Sequence, residues 1–302
     1  MEQRPEWSMI ALIKERKSSE SAMNIKEIFL HFWKSDNEKI SIVRDVVVAL
    51  LAVFVVLLIL WAYTGQWFAA PMVAIESGSM EHEPPRYPDP PFGRFGTIDA
   101  GDMVLVQIVN KQADVISHGV AQTNNDPIYY NDWGDVVIYH PDGDMEATQI
   151  IHRAMCWVEV TELASGIPTY TIEEYGVVNQ TVINLVEIGL SNVPSHRNYN
   201  PSWSHSGFIT KGDNNDVADQ VGGIAREPVK AEWISGKARS EIPWLGTINL
   251  FFEDLLHGKG TVGNVHEDSL ICLGILISIL ISIPISFDVY DYFKGRKKKQ
   301  QF

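Results

Sequence analysis

The chain has 302 residues, 45% of them hydrophobic, with a formal net charge of −14 and two cysteines. Residues 70–268 hold eleven basic and 28 acidic side chains, which excludes a nucleic-acid partner because phosphate binding needs a basic face. Such acidity is typical of salt-adapted proteins, and an acidic domain in ordinary salt fits the composition equally well.

Residues 1–45 mix charged and apolar side chains and are predicted to form a cytoplasmic N-terminal segment. Apolar residues recur at helical spacing towards its end, at Ile25, Ile28, Phe29, Phe32 and Trp33. This spacing predicts an amphipathic helix at the membrane surface, with a packed or disordered tail as the alternative.

The first transmembrane helix is predicted within residues 46–69. Residues 46–63 contain no charge, proline or glycine, and as a helix they would span about 27 Å. The run begins too far into the chain, and is too long, to be a cleaved signal peptide.

A second transmembrane helix is predicted at residues 269–287, which are uncharged and interrupted only by Pro284. The tail that follows, residues 288–302, is basic and is expected to stay in the cytoplasm. The inner flanks of the two runs hold few basic residues, so we expect a multi-pass cell-membrane protein with both termini cytoplasmic and residues 70–268 extracytoplasmic. The alternative is a soluble protein with two buried core helices.

Residues 70–268 are long enough for one substantial core and have a mostly β pattern. Turn-forming sequences separate short apolar segments at residues 103–109, 135–139, 148–160, 169–172 and 207–210. Residues 83–96 contain five prolines and two glycines and are expected to form an irregular loop. Residues 161–206 are polar and weakly periodic, which indicates an elaboration on a smaller core, and they contain a glycosylation sequon at Asn179.

Three sites in this region carry the residue types that a serine hydrolase combines. Ser79 lies beside Gly78 in a turn that leaves a hydroxyl uncrowded, although such turns are common without a function. His152 lies in an apolar segment, where a hydrogen-bonded core histidine is the alternative. Asp213 and Asp219 lie in an acidic loop, where the alternatives are a turn or a cation site without the glycine and glutamate of an EF-hand. Together they could form a triad, because His takes the Ser proton and a carboxylate stabilises the imidazolium.

The order of these sites resembles the successive motifs of type I signal peptidase. The motifs that carry the resemblance are Ser77-Gly78-Ser79-Met80-Glu81, Gly101-Asp102-Met103-Val104, Gly134-Asp135-Val136-Val137, Ile151-His152-Arg153 and Gly212-Asp213-Asn214-Asn215 with Asp219. His152 makes the chain similar to the archaeal and endoplasmic-reticulum branch, since bacterial relatives carry Lys there. The resemblance covers the first membrane helix and residues 72–225, with gaps.

The resemblance implies a signal-peptidase-like β catalytic domain between an N-terminal and a C-terminal transmembrane helix. Ser79 matches the nucleophile and His152 the general base, while the Ser77 hydroxyl and the Ser79 N–H match the oxyanion hole. Asp219 matches the carboxylate that orients His152, and Asp213 is expected in a supporting role. The sequence alone does not decide between these two carboxylates.

We expect no cofactor, because acyl transfer by Ser and His needs none, and no metal site, because the histidines lack ligand spacing. The expected partners are signal-peptide-bearing preproteins near the Sec translocon and the lipid bilayer. Aromatic residues of the domain suit either the membrane interface or the core, with core packing favoured for each alone: Trp133, Trp203, Trp233, Trp244, Phe251 and Phe252. Cys156 and Cys272 lie in different regions, so no intrachain disulfide is expected.

Three features depart from the family pattern: the usual proline after Glu81 is missing, residues 161–206 are longer than in compact relatives, and a C-terminal membrane helix is present. They concern substrate preference and membrane docking rather than the catalytic groups. Two other functions stay open, a membrane serine endopeptidase for other exported proteins and a noncatalytic membrane subunit. The latter predicts loss of Ser79, His152 or Asp219, and all three are present.

Overall fold

The computed structural model describes residues 25–35, 37–67, 70–163 and 166–299, so the prediction for residues 1–24 lies outside the described part. The chain divides into two compact units, Met1–Leu60 and Trp61–Phe302. Helix α1 (Ile25–Lys34) is followed by helix α2 (Glu38–Thr64), which crosses from the first unit into the second. The Asn37 side chain accepts the Lys39 N–H at 3.0 Å and so caps the start of α2.

The second unit is built on an antiparallel β-sheet, as the short apolar segments predicted. Its strands are β1 (Met72–Ala74), β2 (Met103–Gln107), β3 (Val136–Tyr139), β4 (Ile150–Glu162), β5 (Pro168–Ile172), β6 (Val177–Gln180), β7 (Gly207–Lys211) and β8 (Ile234–Ile242). The order is β1-β2-β8-β3-β4-β5-β6, with β7 also paired to β4. Because β4 has 13 residues, its first part pairs with β3 and its last part with β5, and β7 lies along the middle.

Two of the hydrophobic clusters pack different parts of the domain, one beside Ser79 and the other at residues 161–206. One cluster gathers Ile75 and Met80, which flank Ser79 in sequence, with buried residues of β2, β3 and β8. Another joins β4 to residues 161–206, where Tyr170, Leu185 and Trp203 are buried. Residues 161–206 therefore pack into a core that they share with β4 and β7. Their sequence is only weakly periodic because their buried residues are spaced irregularly along loops and short strands.

Beyond α1 and α2, the described chain has four α-helices: α3 (His118–Asn124), α4 (Asp219–Gly222), α5 (Gly246–His257) and α6 (Glu267–Lys299). Helix α5 exposes a group of large apolar side chains, each more than half accessible: Phe251, Phe252, Leu255 and Leu256. The predicted irregular loop at residues 83–96 contains only turns and bends.

Helices α2 and α6 are both long and apolar enough to cross a membrane, with mean hydropathy of 3.0 and 2.6 over their most apolar windows. A core helix of a soluble protein would be mostly buried, whereas only 0% and 6% of these windows are buried. The β domain therefore lies in the chain between two candidate membrane helices, as expected. The helices extend beyond the predicted runs, to Glu38 at one end and Lys299 at the other.

Candidate active site

The Ser79 turn, residues 76–81, follows β1 directly. The buried Met80 side chain anchors it in the core, and the Glu81 N–H donates to the Gly78 carbonyl at 3.2 Å. Ser79 is half-buried, and its Oγ lies 3.4 Å from the Ser77 Oγ. A Cβ at Gly78 would come within 2.6 Å of a Glu81 carboxylate oxygen, so any larger residue there would displace the Glu81 side chain. The Ser79 N–H forms no hydrogen bond with the described residues, which leaves it available to a developing oxyanion.

The loop after β7 holds the backbone of this turn. The Asn214 N–H donates to the Ser79 carbonyl at 2.9 Å, and the Asn214 side-chain amide donates to the Gly78 carbonyl at 3.1 Å. Gly212 packs so closely against the turn that a Cβ there would lie 2.5 Å from the Ser79 carbonyl oxygen. The same loop leads into α4 and its first residue, Asp219, so one segment supports the serine and supplies the carboxylate.

His152 and Asp219 form a buried pair. His152 lies near the start of β4, opposite Val137 of β3, and its Nδ1 is 2.7 Å from Asp219 Oδ2. Both side chains are almost inaccessible, at 3% and 0% exposure. With Nδ1 engaged by the carboxylate, Nε2 is the ring nitrogen that remains for proton exchange.

Two neutral hydroxyls complete the surroundings of Asp219. Tyr139 at the end of β3 and Thr210 on β7 donate to Asp219 Oδ2, at 2.8 and 2.6 Å. Burial, together with the Asp219 charge, raises the pKa of Tyr139, so the phenol stays a proton donor. Asp219 Oδ1 is buried and accepts no hydrogen bond from the described residues. Three neighbouring strands and a helix start therefore converge on one carboxylate.

Asp213 has different partners. Arg153 donates to its two oxygens at 2.8 and 2.5 Å, and His82 Nε2 lies 2.8 Å from Oδ2. Burial raises the pKa of Asp213, but the Arg153 charge and its hydrogen bonds outweigh burial and hold the pKa below its ordinary value. The structure thus brings Asp219, not Asp213, to His152. Asp213 sits in a charged cluster that supports the loop.

Ser79 lines a groove that reaches the start of β4, next to His152, although His152 itself is not one of the groove residues. A groove of ≈ 370 Å³ is lined by Ser79, by Ala74 of β1 and by Ile151, the neighbour of His152 on β4. No hydrogen bond joins Ser79 to His152 in the described chain. Catalytic hydrogen bonds are often long before substrate binds and tighten afterwards.

The acidic loop does not gather its carboxylates around one point. Asp216 is exposed and pairs with Arg86 at 2.7 Å, while Asp213 turns to Arg153 and Asp219 to His152. This divergence disfavours the cation site that the loop composition allowed.

Among the described residues, a His and two Glu lie close enough to hold a metal ion: Glu81, Glu83 and His266. Arg94 already donates to Glu83 at 2.6 Å, so its guanidinium group engages one of the three possible ligands. Arg94 therefore competes with any ion there.

Sequence reasoning missed several contributors to the site. Tyr139 and Thr210 looked like ordinary strand residues, and Arg153 was part of a motif without a role. The only available signal was that each polar group interrupts or ends an apolar strand.

No family model, no curated protein and no solved structure matches this chain. The contacts and distances around Ser79, His152 and Asp219 are therefore the basis for assigning a function. Their side chains are of the types that acyl transfer combines.

Proposed function

We propose that this protein is a membrane-bound serine endopeptidase of the signal peptidase I type, which removes signal peptides from translocated preproteins. The observation that carries the proposal is the buried His152–Asp219 pair on the strand that borders the Ser79 groove. A buried carboxylate on one imidazole nitrogen fixes the tautomer and makes the other nitrogen a base.

The reaction is peptide hydrolysis in two steps. His152 Nε2 takes the Ser79 proton as Oγ attacks the scissile carbonyl, and the oxyanion rests on the Ser79 N–H and the Ser77 hydroxyl. The imidazolium, stabilised by Asp219, gives the proton to the leaving amine, which departs as the mature protein. Water then attacks the acyl-enzyme with His152 again as base, releasing the signal peptide and free Ser79.

An extended substrate suits the groove. Ile75 exchanges hydrogen bonds with Asp102 and Gly101 on the β2 side, and hydrogen-bonding directions alternate along a strand. The backbone of Ala74 therefore faces away from β2, and β1 has no other partner among the described strands. A peptide that pairs with this edge would run towards Ser79. Apolar groove walls from Val73, Ile138 and Ile150 suit apolar side chains next to the scissile bond.

The two apolar helices support a place at the membrane. With the domain on the extracytoplasmic side and both termini in the cytoplasm, Ser79 follows the first membrane helix closely in sequence. A signal peptide presents its cleavage site just beyond its own membrane-buried segment, at the same depth. The exposed apolar face of α5 suits the lipid interface next to the domain.

The test is cleavage of a tagged preprotein in membranes that contain the wild-type protein or a variant. Ser79→Ala and His152→Ala are expected to abolish processing, while Ser202→Ala, at an exposed serine outside the site, leaves it intact. The N-terminus of the product identifies the cleaved bond. Processing by Ser79→Ala at the wild-type rate would refute the proposal.

Two further results would change the proposed mechanism or the proposed substrate class. Retained activity in His152→Lys would remove the distinction from Ser–Lys enzymes. Ser79-dependent cleavage only at sites unrelated to signal peptides would identify a general endopeptidase of exported proteins instead.

A further inference from the structure

The segment between α5 and α6, residues 258–266 and here called the linker, contacts the Ser79 turn at residues that the Asn214 loop does not reach. The Asn264 amide donates to the Glu76 carbonyl at 2.8 Å, and His266 Nε2 lies 3.1 Å from Glu81 Oε2. Glu76 and Glu81 are the two ends of the turn. The segment that leads into the second candidate membrane helix thus holds the nucleophile turn at both ends.

The linker is itself folded against the domain. Asp254 of α5 accepts hydrogen bonds from the Thr261 N–H and hydroxyl and from the Val262 N–H, all at 2.8 to 2.9 Å. Val265 is buried, and a Cβ at Gly101 would lie 2.9 Å from one of its methyl groups. These contacts give the linker a fixed position from which to hold the turn.

Glu81 connects the linker to the backbone around Ser79, because it contacts both His266 and Gly78. Its carboxylate is nearly buried and lies against Gly78, within 2.6 Å of where a Cβ would stand. His266 is its one basic side-chain partner in the described chain, and its other contact is a long hydrogen bond of 3.4 Å from the Ala100 N–H. Without His266, the carboxylate would turn towards water, because a buried charge without a partner is costly.

We propose that His266 is a positioning residue, which fixes the Ser79 turn through Glu81 and so couples the segment before the second membrane helix to the reaction. This inference rests on the proposed function. A shift of the turn changes the position of Ser79 Oγ relative to His152, and a misplacement of about 1 Å can cost about 10²-fold in rate.

The experiment compares His266→Ala with His266→Gln in the purified full-length protein, measuring kcat and KM for a tagged preprotein. His266→Ala is expected to lower kcat about tenfold with little change in KM, because the groove residues from β1, β3 and β4 are untouched. His266→Gln should recover most of kcat, since its amide can donate a hydrogen bond to Glu81. His257→Ala, at an exposed histidine on α5, is the matched control and should keep the wild-type kcat.

A double variant tests the route through Glu81. Once Glu81→Gln is present, adding His266→Ala should cost no more, because both changes break one contact. Thermal unfolding of each variant checks that the loss is not one of folding.

Wild-type kcat in His266→Ala would overturn the inference. So would equal losses in His266→Ala and His266→Gln with a lowered unfolding midpoint, which would indicate a purely structural role. Equal cleavage by the wild type and Ser79→Ala is a different result, since it refutes the proposed function and the inference falls with it.

Discussion

Asp213 and Asp219 lie six residues apart on one loop, are both buried, and differ in the charge of their partners. Asp213 is neutralised by the Arg153 guanidinium, whereas Asp219 receives two neutral hydroxyls and His152. A carboxylate that already has a permanent cation gains little when a histidine becomes protonated. Asp219 gains a full counter-charge at that moment, and so it is the one suited to stabilise an imidazolium.

The largest effect is expected from Asp219→Asn. The amide keeps the shape of the side chain but loses the charge and can hold His152 in the wrong tautomer, so kcat should fall about 10⁴-fold. Measurement of kcat for a preprotein, normalised to folded protein, checks this. Activity close to the wild type would mean that the comparison assigns the wrong carboxylate.

Asp213→Asn is expected to act on stability instead. It leaves Arg153, which has no exposed surface, without its counter-charge, and removal of one partner of a buried pair costs about 3–5 kcal/mol. Denaturant unfolding in detergent measures the loss, while the kcat of molecules that remain folded should stay within about tenfold of the wild type. Full stability combined with a kcat as low as that of Asp219→Asn would reverse the two roles.

Tyr139→Phe tests how much one neutral hydroxyl donor to Asp219 contributes to the reaction. Loss of one hydroxyl from Asp219 is expected to lower kcat about tenfold, since a hydrogen bond to a charged group contributes about 1.5–3 kcal/mol. Tyr170→Phe is the matched control, because that buried hydroxyl donates to the Pro201 carbonyl away from the site. A similar fall in kcat for both variants would point to a general loss of packing.

The smallest effect is expected on the pH dependence of folding stability, to which a third buried aspartate, Asp102, contributes. Burial raises the pKa of Asp102 to about 7, so its contribution to stability is present below pH 3.8 and is lost as the pH rises towards 7. Asp213 has the opposite sign, because its lowered pKa adds stability above pH 3.8 that is lost as the pH falls.

The thermal unfolding midpoint should therefore fall less between pH 5 and pH 8 in Asp102→Asn than in the wild type. An unchanged difference between the two pH values would mean that Asp102 does not bind a proton in the folded protein over this range.

The β domain and its two flanking apolar helices could be predicted because alternation and long uncharged runs are local signals. The order Ser79, His152, Asp219 also follows from the sequence. The resemblance implied Asp219 as the partner of His152, but the residues alone could not separate it from Asp213, because Arg153 is next to His152 in sequence yet turns to Asp213. Adjacent residues of a strand face opposite sides, and their partners come from distant segments.

Other parts of the site were beyond sequence reasoning for the same reason. Tyr139 and Thr210 meet at Asp219 only because β3 and β7 flank β4. The contact of His266 with Glu81 spans most of the domain in sequence, and no local pattern marks it.

The most direct test of the central claim is the cleavage rate of a tagged preprotein by purified Ser79→Ala and Ser77→Ala beside the wild type. We expect Ser79→Ala to lose at least about 10⁴-fold in kcat, since the nucleophile is gone. Ser77→Ala should lose about 10²-fold, as for one oxyanion donor, and stay measurable. Cleavage by Ser79→Ala at the wild-type rate would contradict the account.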